Sequence, residues 1–364
     1  MRFRPRTLMH VTLVLLATAG AARAQTGWGL APDGRGGFTF SDITRDRVWH
    51  MDSRGQLRLL LEHVHCHTLV PGYDGAIYGE DVGGGSRAGG LLGVWKLAPD
   101  GRRIDLLPVT LTPDPSVWLV RDAAGNSFAW EGNPEDRRTS RILRRSPDGV
   151  VTILTGSEWG SADGGAAEAR FGQVQALTVT ADGVLYLVDE GHLRTVLRDG
   201  SVTTSARDFV ALAAGGLPAR GGLWNHSMGA AVDASQRVYV VDYSRHRIVR
   251  FDATEGAREI HRSAGIANRV TGGSWGWRPT GVAFAGGEVF VMEDWPLPPL
   301  LAGLVGSPRI LRIALDGSAE TIAAVSSTGM RIAVSAALAV IVLLLFRLFR
   351  HRRVRRLALR HAAA

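Results

Sequence analysis

The sequence predicts an all-β fold, a six-bladed β-propeller made of four-stranded antiparallel blades. Three observations predict it: a seven-residue phrase recurs six times, each repeat divides into four short apolar strands, and no helical pattern precedes residue 330. Successive copies begin 39, 50, 58, 53 and 51 residues apart, a period that indicates one blade per copy. The copies begin at Gly36, Gly75, Gly125, Gly183, Gln236 and Gly287. An open stack of β-sheets is the alternative arrangement.

Two positions of the phrase are nearly constant. The fourth position is aromatic in five copies, and the seventh is a carboxylate in all six. A carboxylate at the end of a strand can accept hydrogen bonds from turn amides and pair with an arginine. We therefore expect the acids to stabilise the blades rather than to catalyse a reaction. They are Asp42, Asp81, Glu131, Asp189, Asp242 and Glu293.

The fifth repeat shows the strand pattern most plainly. Each predicted strand is β-branched, aromatic or apolar, and each break contains Asp, Ser, Gly or Thr. The four strands are Gly229–Val232, Val238–Val241, Arg247–Phe251 and Ala257–Ile260. The fourth and sixth repeats divide in the same way.

Three of the repeats resemble NHL repeats. The segments are VDYSRHRIVRFD from Val241, SDITRDRVWHMD from Ser41 and VDEGHLRTVLRD from Val188. The loop SADGGAAEARFGQV from Ser161 is similar to the segment that precedes many NHL repeats in bacterial proteins. The resemblance covers most of residues 27–325 and implies a six-bladed propeller.

An arginine follows the acid by five residues in these three repeats. The arginines are Arg47, Arg194 and Arg247. Because the acid ends the second strand and the arginine opens the third, we expect each pair to meet across the turn.

The N-terminal residues have the pattern of a secretory signal. Residues 1–24 have a basic start, an apolar run over Val11–Ala19 and the small-residue ending Ala22-Arg23-Ala24. This pattern predicts a signal peptide, with an uncleaved anchor as the alternative.

The C-terminal residues predict a membrane anchor. Ile332–Phe346 contains fifteen residues without a charge, and seven arginines follow it. We expect a transmembrane helix over residues 330–349 and a basic cytoplasmic tail over 350–364. This orientation places the propeller, residues 25–329, in the periplasm or outside the cell. A sorting signal that is removed after export is the alternative.

The charge of the predicted propeller differs from that of the whole chain. The chain has a formal net charge of +8, but residues 1–24 hold four of its 42 basic residues and residues 330–364 hold eight. Removing these twelve leaves 30 basic residues against 34 acidic ones, a net charge of −4. We therefore expect no nucleic-acid partner. Cys66 is the only cysteine, so the chain forms no internal disulfide.

One face of the propeller carries most of the long segments. We call this face the top; it holds the loops between second and third strands and the loops that link successive blades. Loops on a rigid scaffold are common places for binding. The predicted top-face binding residues are His65, His67, Trp224, Asn225, His226, Trp275 and Trp277.

Two histidines occupy the same blade position in opposite blades. His65 lies ten residues before Gly75, and His226 lies ten residues before Gln236. Histidines that converge at a channel mouth can bind a divalent metal. His226-Ser227-Met228 is also similar to a phrase of the peptidyl-hydroxyglycine amidating lyases, and this resemblance implies a metal held by histidines of several blades. No third histidine stands in this column of the sequence.

Two functions from different classes follow. The first is an envelope-exposed, membrane-anchored binding module that recognises a protein, peptide or glycan with its top face. The second is a metal-dependent lyase or lactonase-type hydrolase at the mouth of the central channel, with His65 and His226 as metal ligands. A complete set of ligands in the channel would distinguish the second from the first.

Overall fold

The chain folds into six four-stranded antiparallel sheets that form a closed ring. The computed structural model describes residues 29–72, 75–81, 92–110, 120–132, 137–210, 229–267, 274–295, 306–314 and 316–325. The strands of each sheet follow one another in sequence order. The innermost strands contact their neighbours all the way round, and the last blade contacts the first. The predicted six-bladed propeller is therefore confirmed.

The first three blades contain twelve strands. They are β1 (Leu30–Pro32), β2 (Phe38–Asp42), β3 (Arg47–Met51), β4 (Leu57–Glu62), β5 (Leu69–Pro71), β6 (Ile77–Asp81), β7 (Leu92–Leu97), β8 (Arg103–Thr110), β9 (Val120–Arg121), β10 (Ser127–Gly132), β11 (Thr139–Arg145) and β12 (Val151–Glu158).

The last three blades also contain twelve strands. A small hairpin of two further strands, β21 and β22, lies between blades 5 and 6, and the repeat does not predict it. The strands are β13 (Val174–Val179), β14 (Leu185–Asp189), β15 (His192–Val196), β16 (Val202–Ala206), β17 (Ala230–Val232), β18 (Val238–Asp242), β19 (Arg247–Asp252), β20 (Gly256–Arg262), β21 (Gly265–Ala267), β22 (Ser274–Gly276), β23 (Arg278–Ala285), β24 (Glu288–Asp294), β25 (Arg309–Ile313) and β26 (Ala319–Ala324).

The predicted terminal segments lie outside this part of the chain. Residues 1–24, 330–349 and 350–364 are not among the described residues. Within the described residues, no helix has the length and apolarity needed to cross a membrane.

The aromatic fourth position of the phrase packs one blade against the next. The Tyr239 ring stacks on Phe284 of blade 6 with centroids 5.8 Å apart, and the Phe290 ring lies 4.3 Å from that of Phe38 in blade 1. The Tyr186 hydroxyl donates to Gln236 Oε1 of blade 5 at 3.2 Å. Aromatic rings supply large apolar area and defined packing. The fourth position is aromatic in five copies because its side chain packs between neighbouring blades.

The carboxylate at the seventh position pairs with a close arginine at the top of five blades. Asp189 lies 2.8 Å from Arg194, and Asp242 lies 2.9 Å from Arg247, as the sequence predicts. In blade 1 the closest arginine is Arg45, 2.7 Å from Asp42, while Arg47 pairs with exposed Glu62 instead. Arg45 ends a single 3-10 turn over Ile43–Arg45; the same turn in blade 5 leaves Arg245 3.8 Å from Asp242, so the two blades differ in which arginine lies closer to the acid.

Blades 3 and 6 also pair their acids with arginines. Glu131 pairs with Arg141, and Glu293 lies 2.9 Å from Arg309 Nε. Buried Glu293 also accepts a hydrogen bond from His261 of the preceding blade at 3.0 Å. These contacts fit the structural role predicted for the acids.

The ring closes where blade 6 meets blade 1. Among the described residues no strand is exchanged between these blades, so the seam is held by side chains. At its top, Arg45 Nη1 donates to the Ser307 carbonyl oxygen at 2.9 Å as well as to Asp42. Ser307 Oγ donates to buried Asp294. Two buried carboxyl groups, one from each terminal blade, thus lie close to one arginine.

Arg194→Ala should destabilise the fold strongly. Both side chains of the Arg194–Asp189 pair are at most 2 % exposed, and breaking a buried pair costs about 3–5 kcal/mol because the remaining charge is left buried. Arg47 holds the matching position in blade 1, but its pair with Glu62 is 37 % and 49 % exposed. Arg47→Ala should therefore cost less than about 1 kcal/mol. Denaturant unfolding of the two variants measures both values, and equal losses would contradict this account.

Asp294→Asn should stabilise the ring at neutral pH. Burial raises the pKa of Asp294 to about 6. The charge of Asp42 adds to this rise, and the hydrogen bond from Ser307 opposes it. A carboxyl group whose folded pKa is raised stabilises the fold at low pH and loses that contribution as pH rises through about 6. We expect the variant to gain on the order of 2 kcal/mol at pH 7.5 and little at pH 4. Unfolding at both pH values tests this, and an equal gain at both would exclude a titration effect.

Candidate functional site

The first blade seam departs from the repeat in two ways. The fourth phrase position of blade 1 is Thr39 rather than an aromatic residue. The acid of blade 2, Asp81, is 3.9 Å from its nearest described arginine, Arg103, whereas the other five acids have an arginine within 2.9 Å or less. Departures from an otherwise consistent pattern are common at functional sites. The seam between blades 1 and 2 is therefore where we place the candidate site.

His65 stands at the top of this seam. It lies in the loop between β4 and β5, where His63 adopts a left-handed φ of 59° and turns the chain from one blade into the next. His63, His65 and His67 all lie in this loop, which separates β4 from β5. The His65 and His67 rings nevertheless meet edge to face, with centroids 4.9 Å apart.

Two carboxylates from different blades approach His65. His65 Nδ1 lies 2.5 Å from Asp46 Oδ1 of blade 1, and its backbone N–H donates to Asp81 Oδ1 of blade 2 at 3.3 Å. The His65 side chain is 14 % exposed and that of Asp46 is 44 % exposed. The site is therefore open to solvent on the Asp46 side and enclosed on the other.

Asp46 was not predicted from the sequence. It follows the 3-10 turn of blade 1 with a left-handed φ of 52°, and its carbonyl oxygen accepts the Val64 N–H at 3.0 Å. His246 holds the same place in blade 5, and its Nδ1 lies 3.1 Å from the Trp277 carbonyl oxygen. Trp277 lies at the same position of the repeat as His65. The residue that follows the 3-10 turn, Asp46 or His246, therefore contacts the same repeat position in both blades. The register of the repeat could have identified Asp46.

The environment separates the protonation states of the neighbouring groups. Burial lowers the pKa of His67 to about 3, and the charge of His65 lowers it further in the same direction. His67 is therefore neutral near pH 7. Burial also raises the pKa of Asp81, with a further contribution from the Asp46 carboxylate, while the His65 amide and Arg103 oppose the rise. Groups whose pKa values are displaced in opposite directions are typical of acid–base sites.

The remaining predicted binding residues have different positions. Trp224, Asn225 and His226 lie outside the described residues, and Trp275 lies in strand β22. Trp277 is buried at the seam between blades 5 and 6, where Arg309 packs over its ring at 3.8 Å. The structure thus brings His65 and His67 together and places Trp277 in another seam.

Of the two predicted metal ligands, His65 is among the described residues and His226 is not. In the part of the chain that the structure describes, no three His, Cys, Asp or Glu side chains are arranged to hold a metal ion. Asp46 nevertheless holds His65 through Nδ1, as carboxylates commonly hold histidines that bind metals through the other ring nitrogen.

These features define the class of the protein as a six-bladed β-propeller in which Asp46 and Asp81 contact His65 at the top of the seam between blades 1 and 2. No family model matches the chain, and no curated protein matches it in sequence. Among solved structures, it is similar to virginiamycin B lyase from Staphylococcus aureus, with 12 % identity and a TM-score of 0.44 over 82 % of this chain and 85 % of the other. It is also similar to XC5397 from Xanthomonas campestris, described as a gluconolactonase, with 15 % identity and a TM-score of 0.46 over 76 % and 85 %. A nidogen/laminin complex matches with 12 % identity and a TM-score of 0.48 over 76 % and 90 %.

His67 should remain neutral through the pH range in which ordinary histidines titrate. Its ring is buried and its pKa is lowered to about 3, so its NMR ring signals should not shift between pH 8 and about pH 4. A His67→Gln variant assigns the signal. A midpoint for His67 near 6.5 would show that the ring is not enclosed as described.

Proposed function

We propose that the protein is a hydrolase or lyase that performs acid–base chemistry at the top of the seam between blades 1 and 2. The observation that supports this is the convergence of Asp46 and Asp81, from two blades, on His65. A histidine held through Nδ1 by a carboxylate has a fixed ring orientation and tautomer, which leaves Nε2 as the atom that exchanges a proton with substrate or water.

The roles of the residues follow from their surroundings. Asp46 orients the His65 ring and stabilises the imidazolium that forms when His65 accepts a proton. In a hydrolysis, His65 would take a proton from water as the water attacks a carbonyl carbon, and would return it to the leaving group. Asp81, whose pKa is raised by burial, would act as the proton donor beside His65. His67 packs against the His65 ring without carrying a competing charge.

A divalent metal is the second candidate for this site. His65 and His226 would be its ligands, and the Asp46–His65 contact fits this arrangement because it fixes the ligand tautomer. When bound, such an ion would polarise a substrate carbonyl. The residues of this chain would still orient the substrate beside Asp81.

A binding module at the cell envelope is a further proposal for this protein. This hypothesis depends chiefly on Trp224, Asn225 and His226. Export and anchoring through residues 330–349 would place either activity at the cell envelope, with a protein, peptide or glycan partner for the binding module and a small substrate for the enzyme.

Substitution of His65 or Asp46 should strongly reduce turnover. The full-length protein would be incubated with a panel of lactones, esters and blocked peptides, and products detected by mass spectrometry. We expect His65→Gln and Asp46→Asn to lower the rate by roughly 10²–10⁴-fold, the usual contribution of a positioned acid or base.

A matched control comes from the bottom face. His50 Nε2 lies 3.0 Å from Asp33 Oδ2, a second histidine–carboxylate pair with no role in the site. His50→Gln should leave turnover unchanged. Undiminished turnover in His65→Gln would refute the proposal. Metal analysis of the same preparations separates the two candidates, because one equivalent of bound metal lost in His65→Gln would favour the metal site.

A further inference from the structure

A cleft on the bottom face lies directly beneath the closing seam of the ring. Its volume is about 600 Å³, and it is bounded by turns of blades 1 and 6. A volume of this order is typical of small-molecule sites, which range from about 300 to 1,000 Å³. The candidate site opens on the opposite face, so the two are separate.

The floor of the cleft is apolar. It is formed by Phe38 and Met51 of blade 1 and by Phe290 of blade 6, and all three side chains are largely buried. The two phenylalanine rings lie 4.3 Å apart. At one end the walls nearly touch, because a Cβ at Gly55 would lie 2.9 Å from the Ile322 carbonyl oxygen. A ligand would therefore be in contact with both blades.

The two walls carry different charge. On the blade 6 wall, Arg312 lies 2.6 Å from Glu320 and 3.8 Å from Glu288. Two carboxylates thus face one guanidinium, and the wall has a surplus negative charge.

The blade 1 wall presents a positive group. Asp52 Oδ1 is occupied by the turn, accepting the backbone N–H groups of Arg54 and Gln56 at 2.9 Å each. The Arg54 guanidinium has no hydrogen bond or ion pair with any described residue, and the residue is exposed at the rim. An arginine in this state suits a carboxylate ligand.

We propose that this cleft binds a short zwitterionic peptide with apolar side chains. Its carboxylate would pair with Arg54, its ammonium group would face Glu288 and Glu320, and a side chain would cover the Phe38, Met51 and Phe290 floor. Binding across the seam would strengthen ring closure, since a ligand that contacts both terminal blades binds only the closed state.

The probe for this proposal is leucyl-leucine, titrated into the full-length protein by calorimetry. At about 10 mM it would occupy nine-tenths of sites with a Kd of 1 mM. We expect saturable binding and a rise in Tm. N-acetyl-leucyl-leucine lacks the ammonium group and leucyl-leucine amide lacks the carboxylate, so each should bind roughly tenfold more weakly.

Variants identify the site. Arg54→Ala should weaken leucyl-leucine roughly tenfold and remove the preference over the amide, and Glu288→Gln should reduce the preference over the acetylated peptide. Thr321→Trp, on exposed β26, should fill the cleft and abolish binding while the unfolding temperature confirms the fold. Arg102→Ala alters the corresponding turn of blade 2 and should leave binding unchanged.

Several results would overturn the proposal. They are absence of saturable binding at about 10 mM, equal affinity for all three peptides, and binding unchanged in Arg54→Ala and Thr321→Trp. His65→Gln should not affect this binding, so failure here is distinguishable from failure of the proposed enzyme.

Discussion

The packing of each blade against the next is the constraint on which the rest of this structure depends. A four-stranded sheet buries little by itself, and the six inner strands become stable only as a ring. Aromatic residues of the repeated phrase fill the seams, and acid–arginine pairs hold the turns at the top. Because the described part of the chain shows no exchanged strand at the closing seam, side-chain contacts between blades 6 and 1 also decide whether the ring stays closed.

The same constraint explains where chemistry can develop. Five seventh-position acids are held by close arginines, which leaves them little freedom to interact with a substrate. Asp81 has no such close arginine among the described residues, and it faces His65 instead. A repeat protein can change one seam while the other five maintain the ring, so a site at the seam between blades 1 and 2 costs the fold little.

The top and the bottom of the seam between blades 6 and 1 differ in structure. At the top of the closing seam, Asp42, Arg45, Asp294 and Ser307 form a buried polar network. At the bottom of the same seam, the turns separate and leave a cleft with two carboxylates around Arg312 on the blade 6 wall and the exposed Arg54 on the blade 1 wall. One face of the closing seam therefore contains a buried carboxyl group with a raised pKa, and the other face contains a cleft between the two terminal blades.

The sequence by itself determined the number of blades and most strand positions, because alternating apolar residues and turn residues are local signals that recur in each repeat. The prediction that Asp242 pairs with Arg247 is confirmed for the same reason. Only the tertiary structure showed that Arg45 replaces Arg47 beside Asp42, that Asp46 reaches His65, and that Trp277 is buried between two blades. Those outcomes depend on left-handed turn residues and on side chains from adjacent blades, and the distances that decide them do not exist until the ring has closed.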